Sequence, residues 1–299
     1  MADRKDGALT GGLKLLWQHQ RLLWWICAVN FLLALAGTMA LHSALATILD
    51  YSLVAKRLAT GFDVPTFAAL LMHPDRPTSA AVPASILAIL IFFLYMLFLT
   101  GGILEVYRRH LKLTTGEFFE ACGRFFWRFA RLLIFLLIAL IPVSFLNGVV
   151  QRWSGKLAAE ASRGMLGFWV QVGGTAVVLF LLMVIRLVFD MAQVRAVAED
   201  VRPMRRALLD AFKLTWRNFG SLFWIYLRLS VATWAGSAVL LWMWVKLVRP
   251  EWVGVSFLIG QAIVLLWIGT RLWLRASETC WYQQQGPPPS EEYLEKLVA

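Results

Sequence analysis

Four side chains carry charge where charge is costly. Glu105, Arg186, Asp190 and Arg228 each fall inside or at the end of a long apolar run. An ionisable group within a membrane span costs at least about 2.5–3.5 kcal/mol on insertion scales, so such groups serve ion pairing, ligand recognition or proton movement. Arg186 and Asp190 have the i, i+4 spacing that puts both on one helix face, where they can pair directly. Arg228 has no carboxylate within reach along its own run, and the pattern predicts that Glu105 or Asp190 meets it between helices. The four are read as one charge cluster whose expected role is to lock helices together, with ligand binding or proton movement as the alternative. Asn30, Asn147, Gln171 and Gln261 are expected to be interhelical hydrogen-bonding groups.

Other chemistries find little support. The histidines (His19, His42, His73, His110) are scattered through different segments, and Cys27, Cys122 and Cys280 have no zinc-ligand spacing, so neither a metal nor a cofactor is expected. No nucleophile–base motif, phosphate-binding glycine loop or outward pair of carboxylates is recognisable, and the chain is not read as an enzyme. The adjacent pairs Glu199, Asp200 and Glu291, Glu292 lie on polar segments and are read as solvation and helix-end chemistry. No disulfide is expected, because the cysteines fall at or within segments assigned below to the reducing side.

The elements that must position the cluster follow from composition. The 299 residues are 60% hydrophobic and only 16% charged, with mean hydropathy +0.66, an apolar excess that a soluble core of this size does not absorb. The surplus must face lipid, which excludes a soluble enzyme, a disordered chain and a small disulfide scaffold. The net charge of +11 and pI near 10.0 do not imply a nucleic-acid partner, since no solvated basic face is present. The basic residues sit in short segments between apolar runs, as they do where anionic lipid fixes orientation.

Six apolar stretches, about 22–41, 83–104, 132–150, 167–189, 222–245 and 253–274, each approach the roughly 20 helical residues that cross a hydrocarbon core of about 30 Å. They lack the period-two alternation of barrel strands, so the expected fold is all-α: a polytopic membrane helical bundle forming a single domain over residues 1–282, with a tail at 283–299. Pro83 suits the first turn of its helix. Lys and Arg are concentrated before span one, between spans two and three, between four and five, and after six. They are sparser at Lys56, Arg57, Arg76, Arg152, Lys156, Arg163, Lys246 and Arg249. Both termini are therefore expected in the cytoplasm. The first run is too long for a cleavable signal core and is read as a retained span.

The entrances to spans one, three and five are similar. Residues 13–23, 123–133 and 213–223 line up without gaps as basic, aromatic-rich stretches running directly into a span. This predicts three copies of one unit: an amphipathic helix lying along the membrane surface over about 8–21, 114–130 and 203–219, which then turns into a membrane hairpin. Most of the 15 tryptophans fall near expected boundaries and read as an aromatic belt.

These residues carry a resemblance. Gly101-Gly102-Ile103-Leu104-Glu105 with Glu117-Phe118-Phe119 and Phe126-Trp127-Arg128-Phe129, and Arg186 with Asp190-Met191-Ala192-Gln193-Val194-Arg195, resemble a recurring pattern in bacterial six-span membrane proteins. The chain is similar to inner-membrane proteins grouped with YciC and to the membrane portion attached to some glycerophosphodiester phosphodiesterases. The resemblance implies architecture and carries over no functional residue. The expected function is a membrane scaffold or accessory factor acting on membrane lipid or a membrane partner protein; the alternative is a carrier of an amphiphile or small anion.

Overall fold

The computed structural model of the protein describes residues 7–49, 81–110, 113–159, 164–201, 203–249 and 252–285. The chain is all-α within them: α1 (Ala8–Gln18), α2 (Gln20–Leu49), α3 (Ala81–Arg109), α4 (Thr115–Ala159), α5 (Gly164–Ala198), α6 (Met204–Arg217), α7 (Phe219–Leu247) and α8 (Val253–Gln285). Helix is the form that satisfies every backbone N–H and C=O of a lipid-embedded segment internally. Each of the six expected spans falls inside one helix. Five helices are long and apolar enough to cross a membrane, and α1 with α2, bent by 70° at His19, makes a sixth. The protein is a multi-pass membrane protein with the expected helical-bundle fold. The connection at 50–80, with Lys56, Arg57 and Arg76, lies outside the described residues, as do Arg163 and residues 286–299 with Glu291 and Glu292. The first residues of the expected tail are helical, because α8 runs on to Gln285.

All three expected amphipathic segments are helices, but the second does not break before its span. At the first junction the helix stops at His19, and at the third at Asn218, whose backbone N–H and side-chain Nδ2 both donate to the Leu214 carbonyl. In the gapless alignment Arg128 stands opposite Asn218 and Phe129 opposite His19; Phe129 is fully buried and stacked on Phe125 at 6.0 Å. Phe219, opposite Phe129 in the third copy, is only half-buried, so it is the full burial of Phe129 that rewards continuation. The 45-residue α4 is therefore about 67 Å long at 1.5 Å per residue, twice the hydrocarbon thickness. Its start is a capping box: Thr114 N–H and Oγ1 donate to Glu117 Oε2 at 2.7 Å each, and Glu117 N–H returns to Thr114 Oγ1 at 3.4 Å. The bonds from Thr114, with a smaller contribution from Arg109, hold the Glu117 carboxyl below its ordinary range.

Two compact units can be distinguished. The first comprises Met1–Leu15, Leu99–Arg228 and Leu274–Ala299; the second comprises Leu16–Phe98 and Leu229–Trp273. In the first, α5 packs against α4 and α6. Small residues let α4 and α5 approach closely: a Cβ on Gly167 would lie 2.7 Å from the Ala158 nitrogen, and one on Gly174 would overlap Val150 Cγ1. Ser154 donates to Gln171 Oε1 across the same contact at 2.5 Å, the interhelical role expected of Gln171. Elsewhere in this unit Gly101 fits against Phe125, Gly102 against Cys122 and Phe118, and Gly12 against the Ser277 backbone. The buried side chains there include Leu104, Tyr107, Phe125, Phe129, Leu132, Leu187 and Met191, whereas Ile134, Leu137, Ile141 and Phe145 of the α4 span stay exposed, as lipid-facing positions do.

The second unit is joined by aromatic rings and serines. Phe31 meets Phe257 edge-on at 6.1 Å, and Trp234 meets Trp267 at 5.5 Å. The Trp267 indole donates to Ser237 at 3.0 Å and that of Trp244 to Ser256 at 3.1 Å.

The glycines give a paired prediction. Gly101→Ala places a methyl carbon 2.8 Å from Phe125 Cβ and 3.2 Å from the Ala121 carbonyl, an overpacking expected to cost about 1–3 kcal/mol. Gly123→Ala meets nothing within 4 Å in the same region and should stabilise by about 0.5–1 kcal/mol through better helix propensity. Unfolding of the two variants in detergent should shift in opposite directions.

Candidate functional site

Within the first unit the helix ends carry buried carboxylates opposite arginines. The last turns of α5 are apolar almost all round: Leu187, Val188, Phe189, Met191, Ala192 and Val194 are buried, so Asp190 is drawn into the core with them at 6% exposure. A buried carboxylate needs cationic donors. Arg275 of α8, itself 7% exposed, supplies one, with its Nη2 2.9 Å from Asp190 Oδ1 and its Nη1 donating to Gln193 Oε1 at 2.6 Å. Arg186, one turn back, approaches Oδ2 at 3.6 Å and stands over the Tyr226 ring at 5.4 Å.

Glu105 is fully buried at the end of α3. Its Oε1 accepts from Arg108 Nη2 at 2.5 Å and Arg109 Nε at 2.7 Å, while Arg124 of α4 approaches to 3.6 Å. Arg124 also lies over the Phe125 ring at 4.7 Å. Oε2 is buried without a hydrogen-bond partner among the described residues, so the group retains capacity to accept one more donor. Just beyond it α3 ends at His110, whose positive φ of 53° closes the helix, and Gln283 of α8 ties off the end by donating to the Arg108 carbonyl at 3.0 Å.

The structure therefore keeps the Arg186–Asp190 pair and separates the other expected partners. Arg228 meets neither Glu105 nor Asp190. Its side chain is exposed, with the guanidinium over the Trp224 ring at 5.3 Å, and it has no ion pair among the described residues. The reason is geometric: Arg228 falls on the outward face of α7, on which Trp224 and Val231 are also exposed, while Arg275 and the arginines next to Glu105 occupy the places expected for it. A cation over an indole face is stabilised without a counter-charge.

Sequence reasoning missed Arg275, Arg108, Arg109 and Arg124, because they counted as orientation charges beyond the spans. It also missed Glu278, buried on α8 at 1% exposure and close enough to act electrostatically on Arg186. A signal was present: Glu105, Asp190 and Glu278 each stand where a returning span ends, so the exits repeat as well as the entrances. Glu199 and Asp200 are exposed just beyond the end of α5, as the reading of solvated helix-end groups expects, and they also make contacts it did not foresee. Glu199 accepts from Arg195 and from the Tyr282 hydroxyl, and Asp200 accepts from Arg128 at 2.6 Å, so both join helices. Trp281, expected in the aromatic belt, is buried and donates to Ser221 at 3.1 Å. Trp17, Trp127 and Trp216 do project outward, each about 70% exposed.

Chemically, carboxylates held against guanidiniums at these distances are suited to fixing helix positions. Among the described residues no group of histidine, cysteine and acidic side chains could hold a metal ion. No family model, curated protein or solved structure matches the chain.

The pairing predicts a cycle. Arg275→Leu strands Asp190 and should cost about 3–5 kcal/mol, seen as a lower folding yield, while Asp190→Leu combined with Arg275→Leu should recover most of it. Arg228→Leu should leave the yield near wild type. A collapse with Arg228→Leu comparable to that with Arg275→Leu would refute the assignment of partners.

Proposed function

We propose that this protein is a membrane scaffold or accessory factor whose amphipathic segments act on the lipid of one leaflet or on a membrane partner protein there. The supporting observation is the division of α6 into three sectors. Met204, Ala207, Ala211 and Thr215 are buried against the protein. Leu209, Phe212 and Trp216 form an apolar face left exposed, with the last two rings stacked at 5.9 Å. Arg206, Lys213 and Arg217 form a third, cationic sector at helical spacing, also exposed. A helix packed on one side, apolar on the second and basic on the third suits the boundary between acyl chains and anionic headgroups. The start of α4 has the same division, with Phe125 and Phe129 buried, Phe119 and Trp127 exposed, and Arg124 and Arg131 on the remaining side.

In this reading α6 and both termini face the cytoplasm of a bacterial cell, supported by the excess of Lys and Arg in the segments on that side. The resemblance to six-span inner-membrane proteins belongs to the same proposal and assigns no residue a role. Neither a soluble cofactor nor nucleic acid enters it.

Two measurements test it. Reporter fusions after residue 60 and after residue 299 should give opposite signals; equal signals would remove the orientation. In vesicles of mixed phosphatidylglycerol and phosphatidylcholine, spin-labelled lipid should show anionic lipid enriched beside the protein. Near the surface each basic residue contributes about 1 kcal/mol, so R206E/K213E/R217E should abolish the enrichment while the protein stays folded. A wild-type protein without anionic preference would sink the lipid reading.

A further inference from the structure

The inference concerns one groove, and it rests on the reading of α6 as a lipid-facing helix. A cavity of about 440 Å³ lies between α4 and the first turn of α6, lined by Arg131, Ile134, Phe135, Pro203, Met204 and Arg205. Two arginines line it beside an apolar wall. Its size is within the roughly 300–1,000 Å³ of small-molecule sites, room for a headgroup phosphate and the upper part of one acyl chain. Arg131 stands one residue before the start of the expected third span and Ile134 is exposed beyond it, so the polar-to-apolar order along α4 matches that of a phospholipid from phosphate to chain.

The charge of the groove is uncompensated. Two arginines nearby are paired: Arg128, one turn before Arg131 on α4, with Asp200, and Arg195 with both Glu199 and Asp210. Arg131 and Arg205 form no ion pair or side-chain hydrogen bond with any described residue, and both are exposed. The start of α6 adds to the positive potential, since Pro203 precedes the helix without a side-chain cap and the first N–H groups of a helix are donors directed outward. Two exposed arginines at the edge of an apolar groove complement a phosphodiester attached to a hydrocarbon chain.

We infer that this groove holds one anionic phospholipid, its phosphate between Arg131 and Arg205 and its upper methylenes against Ile134, Phe135 and Met204. The occupant differs from the lipid enriched along the basic face of α6: it is a single molecule in a defined seat, held by arginines that face does not use.

The test uses the full chain in nanodiscs of phosphatidylglycerol and phosphatidylcholine, released for native mass spectrometry. The wild type should retain one phosphatidylglycerol in preference to phosphatidylcholine. R131Q and R205Q should each weaken retention by about tenfold, the effect of losing one charge-assisted contact, and the double variant should lose it. Ile134→Trp keeps both charges but fills the apolar half, and should also lower retention. All variants should match the wild type in thermal unfolding, because neither arginine supports a described partner. Retention unchanged in R131Q/R205Q, or no preference in the wild type, would overturn the proposal. So would full displacement by excess inorganic phosphate together with normal retention in Ile134→Trp, which would mark a seat for free phosphate. R206E/K213E/R217E should keep the single retained lipid. In the wild type, a retained lipid without anionic enrichment would therefore count against the scaffold reading alone, and enrichment without a retained lipid against the groove alone.

Discussion

A carboxylate taken out of water must find a cation, and the packing of the first unit follows from meeting that demand at more than one helix end. Asp190 can be buried only because α8 continues beyond its apolar run far enough to present Arg275. Glu105 is buried against two arginines of its own helix and a third from α4. The long helices extend past what a bilayer requires for this reason: the extra turns carry the counter-charges. The glycines serve the same geometry, since Gly101 and Gly102 admit α4 to the side of α3 where Arg124 can reach Glu105.

The basic residues of this protein fall into two populations. Arg108, Arg109, Arg124, Arg128, Arg195 and Arg275 are neutralised by carboxylates within the first unit. Arg131, Arg205, Arg206, Lys213 and Arg217 have no such partner among the described residues and lie at the start of span three and along α6. A net charge of +11 thus understates the contrast, because the charge available to a lipid surface is concentrated on a few turns of helix while the remainder is used internally. Exposed charges act over about one Debye length, roughly 8 Å at physiological salt, so their placement on a helix at the headgroup boundary decides whether they act on lipid at all.

The second unit has a different logic. Trp234 and Trp267 use their rings for contact, and Trp244 and Trp267 use their N–H groups for bonds to Ser256 and Ser237. Indole donors have few acceptors in an apolar setting, and small hydroxyl residues on a facing helix supply them without blocking close approach.

Sequence alone was sufficient for the helices. A run of about 20 apolar residues has only one way to satisfy its backbone in lipid, so all six spans were legible, as were the three amphipathic stretches and the Arg186–Asp190 pair, whose partners share a helix. Only the tertiary structure decided the pairings between helices. Whether Asp190 meets Arg228 or Arg275 depends on the rotation of each helix about its axis, and that is set by which neighbour its small residues can approach. Arg228 was expected inward for its charge and lies on the outward face of α7, where its guanidinium stands over Trp224. Phe129 likewise carries α4 through the region where the first and third copies break, since its burial is a property of the neighbours around it. Local pattern determines what a segment is; partners distant in the chain determine which of its faces is used.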